Sequence, residues 1–161
     1  MSGRTISIYL SLGSNLGDRR SNIAAAVQAL DKALGQPHSA MSTIIETPSW
    51  GFEAPAFLNC ALRYDFTGTK PPTPAALLDI CKTVERGLGR EESLEFDDQG
   101  RRIYHSRTID VDILLFGRRH VTTSRLTIPH PLIAERGFVL VPLREIADEF
   151  TKNAFPEYFH D

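Results

Sequence analysis

Apolar and polar positions alternate from Ile6 to Leu12, with Ile6, Ile8, Leu10 and Leu12 on one face and Ser7, Tyr9 and Ser11 on the other. That period of two predicts a strand. GSNLGD follows as a tight turn, and Asp18 can cap a helix. Ile23, Val27, Leu30 and Leu34 then recur at helical spacing, and Gly35 is a natural stop. His38 to Glu46 predicts a second strand, ended by Thr47-Pro48 because proline has no N–H for a ladder and restricts the residue before it. Phe57 to Phe66 alternates again, with Leu58, Cys60, Leu62, Tyr64 and Phe66 facing one way and Phe57, Asn59, Ala61 and Arg63 the other. In KPPTPAALL, Thr73 reads as an N-cap and Pro74 as the first helical residue. Leu77, Cys81, Val84 and Leu88 form the buried stripe, and Gly89 ends the helix. Residues 91–106 are charged and aperiodic, which predicts a mobile loop. Thr108 to Phe116 is a fourth strand.

The order β-α-β-β-α-β predicts an α+β, ferredoxin-like sheet with helices packed on one face. TIPHPLIAERGFVLVPLREIA adds proline-broken short elements as a C-terminal extension, and TKNAFPEYFHD carries no usable pattern. The chain has 161 residues, which predicts a single domain over 1–161. Its formal net charge of −2 offers no global basic field for nucleic acid or a membrane surface. No apolar run approaches the length of a membrane helix. Cys60 and Cys81 lie in apolar patterns without CxxC spacing, as reduced core thiols of a cytoplasmic protein do. With no apolar helix face exposed by the pattern, a monomer is the default reading.

The chemistry gathers at HSRTIDVDILLFG. Residues i and i+2 of a strand share a face, so Asp110 and Asp112 present two carboxylates side by side. Like charges that close repel unless they share a proton or bind cations. Magnesium suits such a pair, because it takes oxygen ligands and is often held by one or two carboxylates plus substrate phosphates. A solvated acidic strand end is the plainer alternative, and the pair alone does not separate the two. Arginines flank it, among them Arg90, Arg107, Arg125 and Arg136, and the planar guanidinium suits phosphate. Carboxylates for Mg²⁺ with arginines for phosphate is equipment for phosphoryl transfer. No Walker-type GxxxxGK[ST] occurs. Trp50, Phe52 and Phe57 could stack on a flat ring whose edge Asn59 reads. Two other classes stay open at this point: a ferredoxin-like RNA-binding module, and a nucleotidyltransferase that uses the aspartate pair.

YLSLGSNLGDR, ETPSWG, FLNCAL, ERGLGR, RTIDVDILLFG and LTIPHPLIAERGFVLVPL occur in that order from near the start to about Ala147. Together they resemble the 6-hydroxymethyl-7,8-dihydropterin pyrophosphokinase family of folate biosynthesis. The resemblance implies transfer of pyrophosphate from ATP to the pterin hydroxymethyl group, with release of AMP. It implies that Asp110 and Asp112 hold two Mg²⁺ ions, and that Arg90 and Arg107 contact the phosphates and assist catalysis. It assigns Glu85, Ile113, Arg125, Thr127, His130 and Arg136 to the ATP site. Thr47, Pro48, Trp50, Phe57, Asn59, Tyr104 and Phe138 fall to the pterin site, with Phe57 and Phe138 sandwiching the ring. It makes 91–106 a mobile catalytic loop. The chain departs from the family pattern at Glu92, where many members have a second basic residue, and at Tyr104, where tryptophan is common. His105 replaces a small residue, and Pro131 follows His130 where some members have an aromatic.

Overall fold

β1 (Thr5–Ser14) is the middle of an antiparallel sheet. The computed structural model describes residues 5–48, 56–89, 98–99 and 108–159. β1 pairs with β4 (Phe57–Thr67) on one side and with β5 (Asp110–Phe116) on the other. Two short strands, β2 (Ala40–Met41) and β3 (Ile45–Thr47), both pair with β4, giving the order β2-β4-β1-β5. That is the ferredoxin-like order expected from the element sequence.

The local signals for the two long helices hold. α1 (Arg19–Leu34) starts at Asp18, whose side chain accepts from the Ser21 N–H, and ends at Gly35 in the left-handed conformation. α2 (Pro74–Gly87) starts at Thr73, which accepts from the Ala76 N–H. Ile23, Val27 and Leu30 of α1, with Leu77, Cys81 and Val84 of α2, pack on Ile8, Leu10, Leu12, Leu58, Cys60 and Leu62 of the sheet. Each such Ile, Val or Leu side chain contributes roughly 1.5–3 kcal/mol on full burial. Tyr64, also in this core, donates to Asp31 Oδ1 at 2.6 Å.

Two expectations are corrected. The segment from His38 to Glu46 is not one strand. Ser42 Oγ accepts from the Ala61 N–H at 2.8 Å, and Glu145 accepts from both the N–H and the hydroxyl of Thr43. These side-chain bonds replace ladder bonds and divide the segment into β2 and β3.

Helices also cover both faces of the sheet, not one. Tyr9, Ala61 and Leu115 face away from α1 and α2, and they need their own cover. α3 (Gly137–Ile146) supplies it with Val139, Leu143 and Ile146, joined by Ile133 and Phe155. A shift in register between Tyr9 and Leu10 admits an extra residue in β5, so adjacent Leu114 and Leu115 both enter this second core. The hairpin of β6 (Val121–Thr122) and β7 (Thr127–Ile128) connects β5 towards α3. After α3, α4 (Glu149–Ala154) begins at Asp148, which accepts from the Thr151 N–H.

Candidate active site

The strand register sets up two rows of side chains on the α3 face. Asn59 of β4, Gly13 of β1 and Asp110 of β5 stand opposite one another, and Ala61, Ser11 and Asp112 form the next row. The ends of these strands, with the loop and first turn of α3, enclose a cavity of about 550 Å³. Thr47, Pro48, Phe57, Asn59, Asp110, Asp112, Arg136 and Phe138 line it, joined by Ser11, Gly13, Leu132, Glu135, Gly137 and Val139.

One end of the cavity carries Phe57, Asn59 and Phe138. Asn59 is buried, and its Nδ2 donates to Thr47 Oγ1 at 2.7 Å. That bond holds the amide in place. A Cβ at Gly13 would lie 3.0 Å from Asn59 Oδ1 and 3.5 Å from Phe57 Cδ1, so only glycine fits here without displacement. Phe138 lies at the start of α3, where the Arg136 guanidinium sits 5.6 Å from its ring centre.

The other end is anionic. Burial, first, and then the neighbouring carboxylates of Asp110 and Glu85 push the Asp112 carboxyl up to about 7, partly opposed by Arg136 and Lys82. A carboxyl so disfavoured as an anion gains most from a cation. The donor set fits Mg²⁺: two carboxylates on one face, with room in the cavity for phosphate oxygens and water to complete the coordination. Among the described residues, no group of three or more His, Cys, Asp or Glu forms a self-sufficient metal centre.

Other residues singled out in the sequence do not line the cavity. Glu85 is buried at the end of α2, and its Oε2 accepts from the Val111 N–H at 2.8 Å. Ile113 is in the core beneath α1 and α2. Arg125 and Thr127 are exposed on the β6–β7 hairpin, with the Arg125 guanidinium 3.0 Å from Asp79 Oδ1. His130 Nδ1 accepts from the Leu132 N–H, which puts the proton of the neutral ring on Nε2. Burial, then Arg136, lowers the pKa of His130, which favours the neutral ring. Trp50, Arg90, Tyr104 and Arg107 lie outside the described residues, as does the 91–106 segment except for Asp98 and Gln99.

A family model described as 7,8-dihydro-6-hydroxymethylpterin-pyrophosphokinase matches residues 9–148. The chain belongs to that family. It is 40% identical over 144 residues to the 2-amino-4-hydroxy-6-hydroxymethyldihydropteridine pyrophosphokinase of Porphyromonas gingivalis, covering 87% of this chain and 90% of that one. The protein of the same name from Bacillus subtilis (strain 168) is 37% identical over 147 residues, with 91% and 81% covered. A crystal structure of an HPPK-DHPS protein in complex with substrates superposes with a TM-score of 0.59 at 15% identity. That match covers 96% of this chain and 44% of the other, and it speaks for the fold. Membership of the family makes the chain an enzyme, a pyrophosphokinase.

Six cavity residues escaped the sequence reading: Ser11, Gly13, Leu132, Glu135, Gly137 and Val139. A signal existed for Ser11, which alternation already placed with Ser7 and Tyr9 on the face opposite Ile8 and Leu10. For Gly13 there was none beyond its place in GSNLGD. That turn itself behaves as a tight connection: Asn22 Nδ2 donates to the Leu16 carbonyl and to Ser14 Oγ, and Gly17 takes a positive φ of 68°.

Proposed function

We infer that this chain transfers pyrophosphate from ATP to the hydroxymethyl group of 6-hydroxymethyl-7,8-dihydropterin, a step of folate biosynthesis that releases AMP. The observation that carries this reading is the Asn59–Gly13–Asp110 row. It sets a fixed amide, suited to a heterocycle's edge, across a glycine from the carboxylate pair suited to a metal-bound phosphate. Phe57 and Phe138 would hold the pterin ring, Asn59 would bond its polar edge, and Thr47 would keep Asn59 oriented. Pro48, Trp50 and Tyr104 would complete that end.

Asp110 and Asp112 would hold two Mg²⁺ ions. When bound, these supply charge neutralisation to the ATP phosphates. The chain's own residues then bind and orient. Arg90, Arg107, Arg125 and Arg136 would meet the nucleotide's anionic groups, and Glu85, Ile113, Thr127 and His130 would complete the ATP side. Neutral His130 suits a hydrogen-bonding role at Nε2 better than an ionic one. Holding the acceptor hydroxyl in line with the phosphorus, away from water, is the main catalytic contribution available to such a site.

Product analysis tests the reaction. Incubation with ATP, Mg²⁺ and the hydroxymethyl dihydropterin yields AMP and a pterin diphosphate if the reading is right. Free inorganic pyrophosphate with a nucleotidyl-pterin adduct would establish nucleotidyl transfer instead.

A cytoplasmic monomer completes the proposal. Both cysteines are buried thiols, which suits a reducing compartment. Among the described residues, the large exposed apolar ones, Leu16, Met41, Val141 and Phe150, come from four separate segments. Light scattering should return the chain mass of 18.0 kDa; twice that value overturns the monomer.

A further inference from the structure

Among the described residues β5 is an edge strand, so one of its two rows of backbone groups meets no neighbouring strand there. The Val111 N–H belongs to that outer row. It donates to Glu85 Oε2 at 2.8 Å rather than to β1. In an antiparallel ladder the N–H groups of successive residues turn to opposite sides, so those of Asp110 and Asp112 turn inward to β1. The register agrees, with Asp110 opposite Gly13 and Asp112 opposite Ser11. The backbone bearing the two aspartates is therefore held from both sides, by β1 at each aspartate and by Glu85 at the residue between them.

Glu85 itself is set firmly. It lies in the last turn of α2, is 1% exposed, and has the Lys82 ammonium 3.5 Å from Oε1. A buried carboxylate accepting from a backbone N–H makes a short, charge-assisted bond. Its charge also lies behind the pair, where it adds to the repulsion that disfavours the Asp112 anion.

We propose that Glu85 is a positioning residue for the metal-holding pair: by fixing the Val111 N–H at the open edge of the sheet, it sets the separation and aim of the Asp110 and Asp112 carboxylates. This rests on the reading of that pair as the Mg²⁺ ligands. It gives Glu85, beside its place on the ATP side, a task performed from behind β5 on the aspartate pair.

Two readouts test it without turnover. Amide exchange at Val111, by nuclear magnetic resonance, reports the bond. Mn²⁺ affinity in the presence of α,β-methylene-ATP, by electron paramagnetic resonance, reports the pair. Glu85→Ala should speed Val111 exchange about tenfold or more, the scale of losing ~1.5 kcal/mol of a charge-assisted bond. It should also weaken Mn²⁺ about 10-fold or more, as loss of an outer-shell partner does. Glu85→Gln keeps an acceptor oxygen and should stay within about 3-fold on both, a span smaller than one hydrogen bond.

Folded Glu85→Ala with unchanged Mn²⁺ affinity overturns the proposal, whatever its thermal stability. If Glu85→Ala does not fold, Glu85→Asp decides. Its side chain is one methylene shorter, so exchange and Mn²⁺ affinity must change together; a lost bond with intact affinity refutes positioning. Failure of the pyrophosphokinase reading would show separately, as wild-type protein that makes no AMP.

Discussion

Gly13→Ala tests the pterin end of the cavity with a single methyl group. The new Cβ would lie 3.0 Å from Asn59 Oδ1, 3.5 Å from Phe57 Cδ1 and 3.8 Å from the Leu58 carbonyl. Gly13 sits in extended strand, so alanine brings no backbone strain, and the effect is local crowding. The Asn59 amide must move by a few tenths of an ångström, yet it is buried and tied to Thr47 at 2.7 Å. Spoiling one ligand hydrogen bond costs about 0.5–1.5 kcal/mol, or roughly 2- to 12-fold in affinity. Crowding of Phe57 adds to this, so the KM for the pterin should rise about tenfold. The KM for ATP should stay within about twofold, since a neutral methyl does not alter the charge that the nucleotide meets. Initial rates of AMP release, with each substrate varied in turn, measure both. An unchanged pterin KM, or an equal rise for ATP, would refute the assignment of this row.

Asp112→Asn should remove nearly all AMP release while the fold survives. Because the folded Asp112 pKa is raised to about 7, the folded protein holds a proton that the unfolded chain has lost from about pH 4 upwards. Stability of the metal-free protein should therefore fall as pH rises from about 4 to 7. Asp112→Asn should raise Tm at pH 8 but not at pH 4 in chelator, and a lower Tm at pH 8 contradicts the electrostatics. Tyr64→Phe deletes the donor to Asp31 at 2.6 Å; it should cost about 1.5–3 kcal/mol in urea unfolding without changing either KM. Burial pushes both Cys60 and Cys81 up to about 12, so Ellman's reagent should label neither in native protein and both in denaturant. Rapid native labelling would show that the core beneath the sheet opens.

Features set by neighbouring residues in the chain were legible in the sequence. Asp18, Gly35, Thr73 and Pro74 bound their helices because caps are local chemistry. The β1 and β4 faces were legible because alternation is. What depended on distant contacts was not. Nothing in His38–Glu46 reveals that Ser42 will bond to Ala61 and Thr43 to Glu145. Pro142 broke the pattern of α3, although a helix with Pro142 inside it covers the second face. Phe155, in the patternless tail, is 2% exposed. The site divides similarly. Alternation gave the Asp110–Asp112 pair its common face, and the ordered motifs carried the resemblance that assigns residues to the pterin. The row joining Asn59 to Asp110 needs the register of three strands, which no single segment states. Glu85 showed its family position but not its bond to Val111, because a helix and an edge strand meet there only in the fold.

Among the described residues, the outer edge of β5 is met at two points: Glu85 takes the Val111 N–H, and the His130 N–H donates to the Leu114 carbonyl at 3.0 Å. An apolar edge strand such as DVDILLF, left open, would be a template for pairing with other chains. The Glu85 contact proposed to position the aspartates would thus also help guard the protein against aggregation. Substitutions at Glu85 carry a solubility risk distinct from their effect on chemistry.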